Sequence, residues 1–304
     1  MNYRPLGNSG LMVSELGFGC MSLGDREEDN TRLINRALDL GINFFDTADL
    51  YGNGMNERML GRALKGRRDE ALIATKVGNQ LIAGSPGDPL TPAPVWNPGR
   101  DYIIKAVEKS LERLQTDRID LYQLHGGTLE DPIDETISAF ETLKEQGKIL
   151  HYGISSIRPA VIREWTARSR MVSVMMQYSL LDRRPEENCL ELLGNAGIGV
   201  LARGCLARGL LVGKPPAAYL DYSCSEVEGA AAAIHSLSGK FRSPGQAALQ
   251  FVLSHTAISS AIVGFRTPGQ LEDLAKTYGI PLPGKDEMQV LRESIPPNRY
   301  ELHR

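Results

Sequence analysis

Short apolar runs alternate with longer amphipathic stretches along the chain. Residues 15–19 (ELGFG), 43–46 (NFFD), 71–76 (ALIATK), 119–124 (IDLYQL), 152–155, 172–176 (VSVMM), 199–202 and 260–263 read as strands. Most are apolar throughout, as a parallel strand buried on both faces must be. Helical patterns lie between and after them, at residues 29–40, 57–64, 101–114, 133–146, 160–167, 187–193, 245–254 and 269–276. In the first, Leu33, Ile34, Ala37 and Leu38 recur at the spacing that gathers side chains on one helix face. In the third, the expected stripe is Ile104, Val107, Leu111 and Leu114. Gly147 stands where a helix would end in a left-handed cap.

Eight strand–helix units without a change of composition predict parallel strands with right-handed crossovers. Eight favours a closed (β/α)8 TIM barrel, one domain over residues 1–304, rather than an open doubly wound sheet. The absence of G-x-G-x-x-G after the first strand points the same way. Two segments interrupt the alternation. Residues 79–98 carry Pro86, Pro89, Pro92, Pro94, Pro98 and Trp96, and residues 213–239 form a long connection after the seventh strand. Loops of that length in a compact domain are usually functional or mobile, and in a barrel the loops after strands build the active face.

Composition narrows the function classes. Of 304 residues 42% are apolar, and 34 basic against 37 acidic residues leave a net charge of -3. That balance offers no footprint for nucleic acid or an anionic membrane. No run is long and apolar enough for a membrane span. Cys20, Cys189, Cys205 and Cys224 form no C-x-x-C pair, and no Cys/His spacing suits zinc. The expectation is a reduced, cytoplasmic protein without a metal.

The strand ends carry the chemistry. Asp46 ends the second strand, Lys76 the third, and His125 follows the fourth, with Tyr51 in the loop after Asp46. One such residue would merely terminate its strand; four of complementary type at consecutive strand ends make a set. Carbonyl reduction needs a hydride donor and a proton donor for the developing alkoxide. A free tyrosine, with a pKa of about 10, is a poor acid at neutral pH. A nearby ammonium stabilises the phenolate and lowers that value, and a carboxylate keeps the ammonium charged. A neutral histidine can orient the carbonyl.

The run DTADLYGNGMNE (residues 46–57) resembles the signature of the aldo-keto reductase family. LIATK (72–76), SLERLQTDRIDLYQLH (110–125), YGISS (152–156), ARGLLVGK (207–214) and AIVGFRTPGQLED (261–273) continue the likeness in the family's order. The resemblance implies an oxidoreductase that reduces small aldehydes or ketones with NADPH. Tyr51 would be the general acid, Lys76 and Asp46 its tuning pair, and His125 the residue that orients the carbonyl.

The cofactor side departs from the family pattern. Its usual glutamine falls at Met175, with Gln177 two residues on and pointing the same way by alternation. Its Ser-Asn is Ser155-Ser156 here. Its stacking aromatic is Arg203, which would stack on the ring or pair with a phosphate or carboxylate, or else be held in a structural ion pair. Gly264, Phe265 and Arg266 precede a helix start, where free N–H groups and a guanidinium suit a phosphate, the basis for NADPH. The competing reading is a solvated helix cap with a surface arginine. Gln270 and Asp273 match the family's adenosine contacts, while its next residue, an asparagine, is Leu274. Met21 and Trp96 are substrate-pocket candidates, each also readable as packing. Two alternatives share the fold: a cofactor-binding redox sensor for a partner protein, and a Schiff-base aldolase using Lys76.

Overall fold

The computed structural model describes residues 1–82, 84, 93–239 and 241–302. Pro86, Pro89 and Pro92 of the proline-rich segment lie outside the described residues. The chain opens with an antiparallel hairpin, β1 (Tyr3–Pro5) and β2 (Met12–Ser14). β3 (Leu16–Gly19), β4 (Phe44–Asp46) and β5 (Leu72–Val77) follow. A second antiparallel hairpin, β6 (Asn79–Ile82) with β7 (Ala93–Trp96), leaves the end of β5. β8 (Ile119–Leu124), β9 (Ile149–Ser155), β10 (Ser173–Gln177), β11 (Gly199–Arg203) and β12 (Ile258–Val263) complete the set. β3, β4, β5 and β8 to β12 pair in parallel in chain order, and β12 closes onto β3. The expected (β/α)8 TIM barrel is the observed fold.

α1 (Glu27–Asp39), α2 (Met55–Ala63), α3 (Arg100–Leu114), α4 (Ile133–Glu145), α5 (Pro159–Arg168) and α6 (Cys189–Asn195) surround the barrel. α7 (Cys224–Ser236) and α8 (Pro244–Leu253) follow the seventh barrel strand, and α9 (Pro268–Ala275) and α10 (Lys285–Glu293) follow the eighth. Local chemistry fixes several ends. Glu27, Glu28 and Asp29 sit in the first turn of α1, where the helix dipole favours negative charge. Ser243 and Gln246 form a reciprocal capping box on α8. Gly147, at φ 72°, takes the left-handed position after α4.

Alternation along each strand sorts the core into two. Phe44, Ala74, Leu121, Met175, Leu201 and Ile262 fill the barrel interior, and Leu6 and Val13 of the hairpin segment join them as a plug. Their strand neighbours face outward against the helices, where Phe18 and Phe45 stack at 5.7 Å and Phe140 stacks on Tyr152 at 5.3 Å.

Several expectations need correction. The buried stripe of α3 is Ile103, Ala106, Val107, Ser110 and Leu114, and the expected Ile104 and Leu111 are only half-buried. The face is turned by one residue because a small polar side chain, Ser110, fits beneath the helix where periodicity favours the larger Leu111. The connection at 213–239 contains α7, whose run of small alanines masks its amphipathic pattern. The segment after Gly78 is a hairpin rather than an irregular loop. Periodicity shows neither the N-terminal hairpin nor α10, because the strands are three residues each and α10 carries one fully buried residue, Leu291.

Candidate active site

The apolar interior ends in a polar layer. Two residues beyond Phe44, Ala74, Leu121, Met175 and Leu201 stand Asp46, Lys76, Gln123, Gln177 and Arg203. A strand points every second residue the same way, so all five turn inward at the carboxyl ends of their strands. That is the end at which barrel enzymes carry their chemistry.

Lys76 lies at the centre. Its Nζ donates at 2.7 Å to each carboxylate oxygen of Asp46 and at 2.7 Å to the carbonyl of Thr47. The same ammonium lies 5.1 Å from the centroid of the Tyr51 ring. Tyr51 and His125 meet edge to face, with ring centroids 5.9 Å apart. The four residues taken from the sequence thus converge on one point. Thr47 and Asn56 brace the loop that carries Tyr51: Thr47 Oγ1 donates to Asn56 Oδ1 at 2.7 Å, and Asn56 Nδ2 donates to the Cys20 carbonyl at 2.8 Å. After Tyr51 the backbone takes three left-handed residues in succession, Gly52, Asn53 and Gly54.

Burial sets the charges. Burial opposes the Lys76 ammonium, but Asp46 and Tyr51 outweigh it and hold the ammonium pKa above its ordinary value. His125 is driven down to about 3 by burial and by the cations Lys76 and Arg203. It is therefore a neutral imidazole with one N–H to donate, and its Nδ1 is buried without a partner. Burial pushes the Tyr51 phenol above its ordinary value, against the opposing pull of Lys76. This corrects the expected net fall: the ammonium acts in the expected direction, but desolvation of a phenolate is the larger effect.

The cofactor candidates divide. Gln177 points inward above Met175, which is buried in the barrel interior. Arg203 Nη1 donates to Gln177 Oε1 at 3.0 Å, and Gln177 Nε2 donates to the Tyr219 hydroxyl at 2.8 Å. Arg203 makes no ion pair with a described carboxylate, and its side-chain hydrogen bond goes to Gln177. Ser155 ends β9 half-buried, and Ser156 is buried with Oγ accepting from the Arg158 N–H at 3.2 Å. Arg266 is exposed at the start of α9, its N–H bonded to Gln270 Oε1 at 3.0 Å. Gly264 precedes it, exposed. A cleft of about 340 Å³ runs between Met21, Ser22, Leu23 and Gly24 on one side and Phe265 and Arg266 on the other.

Two candidates do not present their side chains to that cleft as expected. Phe265 is fully buried and packs on Phe18 at 5.2 Å, so mainly its backbone remains for a ligand. Asp273 is tied inward, accepting from Ser243 Oγ at 2.7 Å. Met21 is 70% exposed at the rim, which removes the core-packing reading. Trp96 is anchored. Its Nε1 donates to Asp131 Oδ1 at 2.9 Å, and its ring covers Gly78, where an added Cβ would lie 2.7 Å away. Sequence reasoning missed Gln123, whose Nε2 reaches Asp46 at 3.5 Å. Alternation from Leu121 was the available signal.

A barrel with a tyrosine, a lysine–aspartate pair and a histidine at its carboxyl end defines a class, and the comparisons agree: the chain belongs to the aldo/keto reductase family, whose profile matches residues 15–295. It is an oxidoreductase of that family. An "Uncharacterized oxidoreductase YqkF" of Bacillus subtilis (strain 168) is 44% identical over 313 residues, covering 100% of both chains. The holo form of aldo-keto reductase AKR11C1 from Bacillus halodurans superposes with a TM-score of 0.92 at 46% identity, covering 100% of this chain and 99% of that one. The glycerol dehydrogenase AKR11B4 from Gluconobacter oxydans gives 0.85 at 26% identity, covering 99% and 98%. Enzymes of this family generally take NAD(P)H and small carbonyl substrates. Among the described residues no helix is long and apolar enough to cross a membrane, and no group of side chains suits a metal.

Proposed function

We propose that this chain is an NADPH-dependent reductase of small aldehydes and ketones, with Tyr51 as general acid. The observation that carries the reading is that a neutral His125 and a charged Lys76 both lie against the Tyr51 ring, at 5.9 Å between ring centroids and 5.1 Å from the ammonium to the ring centroid. NADPH, when bound, supplies the hydride. The side chains do the rest. The neutral imidazole of His125 donates its N–H to the carbonyl oxygen and fixes its angle. Tyr51, kept protonated by its raised pKa, gives its proton to that oxygen as negative charge develops. Lys76, held by Asp46, stabilises the phenolate left behind.

The residues present fit a phosphorylated nicotinamide. Arg203 is an inward-facing cation with no described carboxylate partner, as an anionic or polarisable ligand requires. Arg266 stands at the N-terminus of α9, beside the cleft. Gly264, Arg266, Gln270, Ser155, Ser156, Gln177 and Arg203 are the proposed cofactor contacts, with the Phe265 backbone. Met21 and Trp96 border the substrate mouth, Trp96 as a fixed wall. The single barrel over residues 1–304 is proposed as one domain acting on small molecules, with no nucleic-acid or membrane partner.

The test is direct. NADPH and 4-nitrobenzaldehyde are mixed with the protein, and absorbance at the cofactor band is followed. Consumption is expected; binding without consumption across a panel of carbonyls would favour the redox sensor instead. The aldolase reading is disfavoured because Lys76, saturated by Asp46 and Thr47, has no free lone pair for a Schiff base.

A further inference from the structure

Behind Tyr51 lies a second buried polar cluster that the reduction does not use. Asp49, two residues before Tyr51, is 8% exposed. Its N–H donates to the Lys76 carbonyl at 3.3 Å, which fastens this loop to the strand carrying the ammonium. Its side chain turns away from the mouth toward α3. The Tyr102 hydroxyl donates to Oδ2 at a long 3.4 Å, and Oδ1 is buried with no hydrogen-bond partner within reach among the described residues. Glu57 of α2 is fully buried beside it. Glu57 is satisfied at both oxygens, by Thr75 Oγ1 at 2.6 Å and Arg113 Nε at 2.6 Å. From β8 the Tyr122 hydroxyl faces the same space, buried and unpartnered.

Arg113 is held by Glu57 in an ion pair and acts on Asp49 only through its charge. In a low-dielectric space the less satisfied of two like charges is neutralised. Arg113 has a second task. Its side chain packs against Gly54, where an added Cβ would meet Arg113 Cδ at 2.6 Å. Gly54 closes the left-handed run that begins just after Tyr51. Gly52 and Gly54 take that region freely, while Asn53 between them, a non-glycine, is held there by its surroundings. The position of Arg113 is thus a support for the position of Tyr51.

We propose that Asp49 is a positioning residue for Tyr51: neutral, it leaves Arg113 with Glu57 and packed on Gly54, and ionised, it draws Arg113 away and loosens the Tyr51 loop. The only chemical change is loss of the carboxyl proton to solvent. Burial and the Glu57 charge push Asp49 up to about 7, against Arg113, the Leu50 backbone and Tyr102. The other titratable groups facing it, Tyr102 and Tyr122, are both pushed above their ordinary range and keep their protons. Across the loop Lys76 remains charged, and His125, at about 3, remains neutral.

The rate arm of the test rests on the reductase reading; the spectroscopic arm does not. In the first, kcat for carbonyl reduction is measured from pH 5.5 to 9 in the wild type and in Asp49→Asn. The wild type is expected to lose activity through one deprotonation near pH 7. In Asp49→Asn that step vanishes, while Kd for NADPH stays within about twofold at every pH. An identical inflection in both proteins overturns the proposal. In the second arm, the wild-type protein carries carboxyl-13C aspartate and 13Cζ tyrosine, and both signals are followed by NMR against pH. Asp49 is expected to titrate near 7, with the Tyr51 signal following the same midpoint. An Asp49 midpoint near 4, or a Tyr51 signal indifferent to it, overturns the proposal even if Asp49→Asn fails to fold. A protein that reduces no carbonyl, yet shows the linked titration, sinks the reductase reading and leaves the positioning role standing.

Discussion

At the scale of single residues, the site separates groups that change in the reaction from groups that hold them. Tyr51 acts only as charge develops on oxygen, so Tyr51→Phe is expected to lower kcat by about 10²–10⁴-fold, the usual worth of a general acid. NADPH affinity, read by fluorescence titration, should stay near wild type, because the lost hydroxyl contributes little to the ground state. Retention of wild-type kcat removes Tyr51 as the acid. Arg266 is exposed and unpaired with any described acid, and a phosphate would supply its partner. Arg266→Ala should raise Kd for NADPH by about tenfold or more, since a charge-assisted hydrogen bond contributes about 1.5–3 kcal/mol. Kd for NADH should change far less, and equal losses for both cofactors remove the 2′-phosphate argument. Arg203→Tyr restores an aromatic where the family carries one. Weaker cofactor binding in that variant shows that the guanidinium is itself an anchor.

At the scale of elements, the loops after the strands are tied down by short polar bonds. The base of the β6–β7 hairpin is tied down by one indole N–H on Asp131 and by the Trp96 ring lying on Gly78. Gly78 has φ 124°, a conformation closed to other residues, and its missing side chain is what admits Trp96. α8 and α9 are joined where Ser243 Oγ caps α8 and also donates to Asp273. Ser243→Ala removes both contacts. The expected cost is about 1 kcal/mol from the cap alone. In a chain of this size a Tm lower by about 2 °C in a thermal melt is expected. An unchanged Tm shows that the cap adds nothing to the folded state.

At the scale of the whole molecule, the buried histidine links stability to pH. His125 titrates near 6.5 when unfolded and near 3 when folded, so the unfolded chain takes up the proton first. Its contribution is complete above pH 6.5 and is lost progressively as pH falls toward 3. Urea midpoints at pH 7 and pH 4.5 should therefore differ less in His125→Gln than in the wild type. An equal difference in both means that other groups dominate acid unfolding. The charge arrangement follows the same logic: an ion-paired Lys76 and Asp46 and a neutral imidazole leave Arg203, among the described residues, as the unpaired charge turned inward at the strand ends.

The sequence by itself determined the eight alternating units, the barrel, and the four residues Asp46, Tyr51, Lys76 and His125, because strand ends and helix faces are written in local periodicity. It missed the two hairpins, α7 and α10, whose patterns are too short or too rich in small residues to stand out. Tertiary structure alone decided that Phe265 belongs to the core, that Asp273 serves a helix cap, and that Asp49 is left with an unpaired oxygen beside Glu57. Those outcomes depend on what another strand or helix brings within a few ångströms, and on how much water it removes. Neither quantity is carried by the order of residues along one segment.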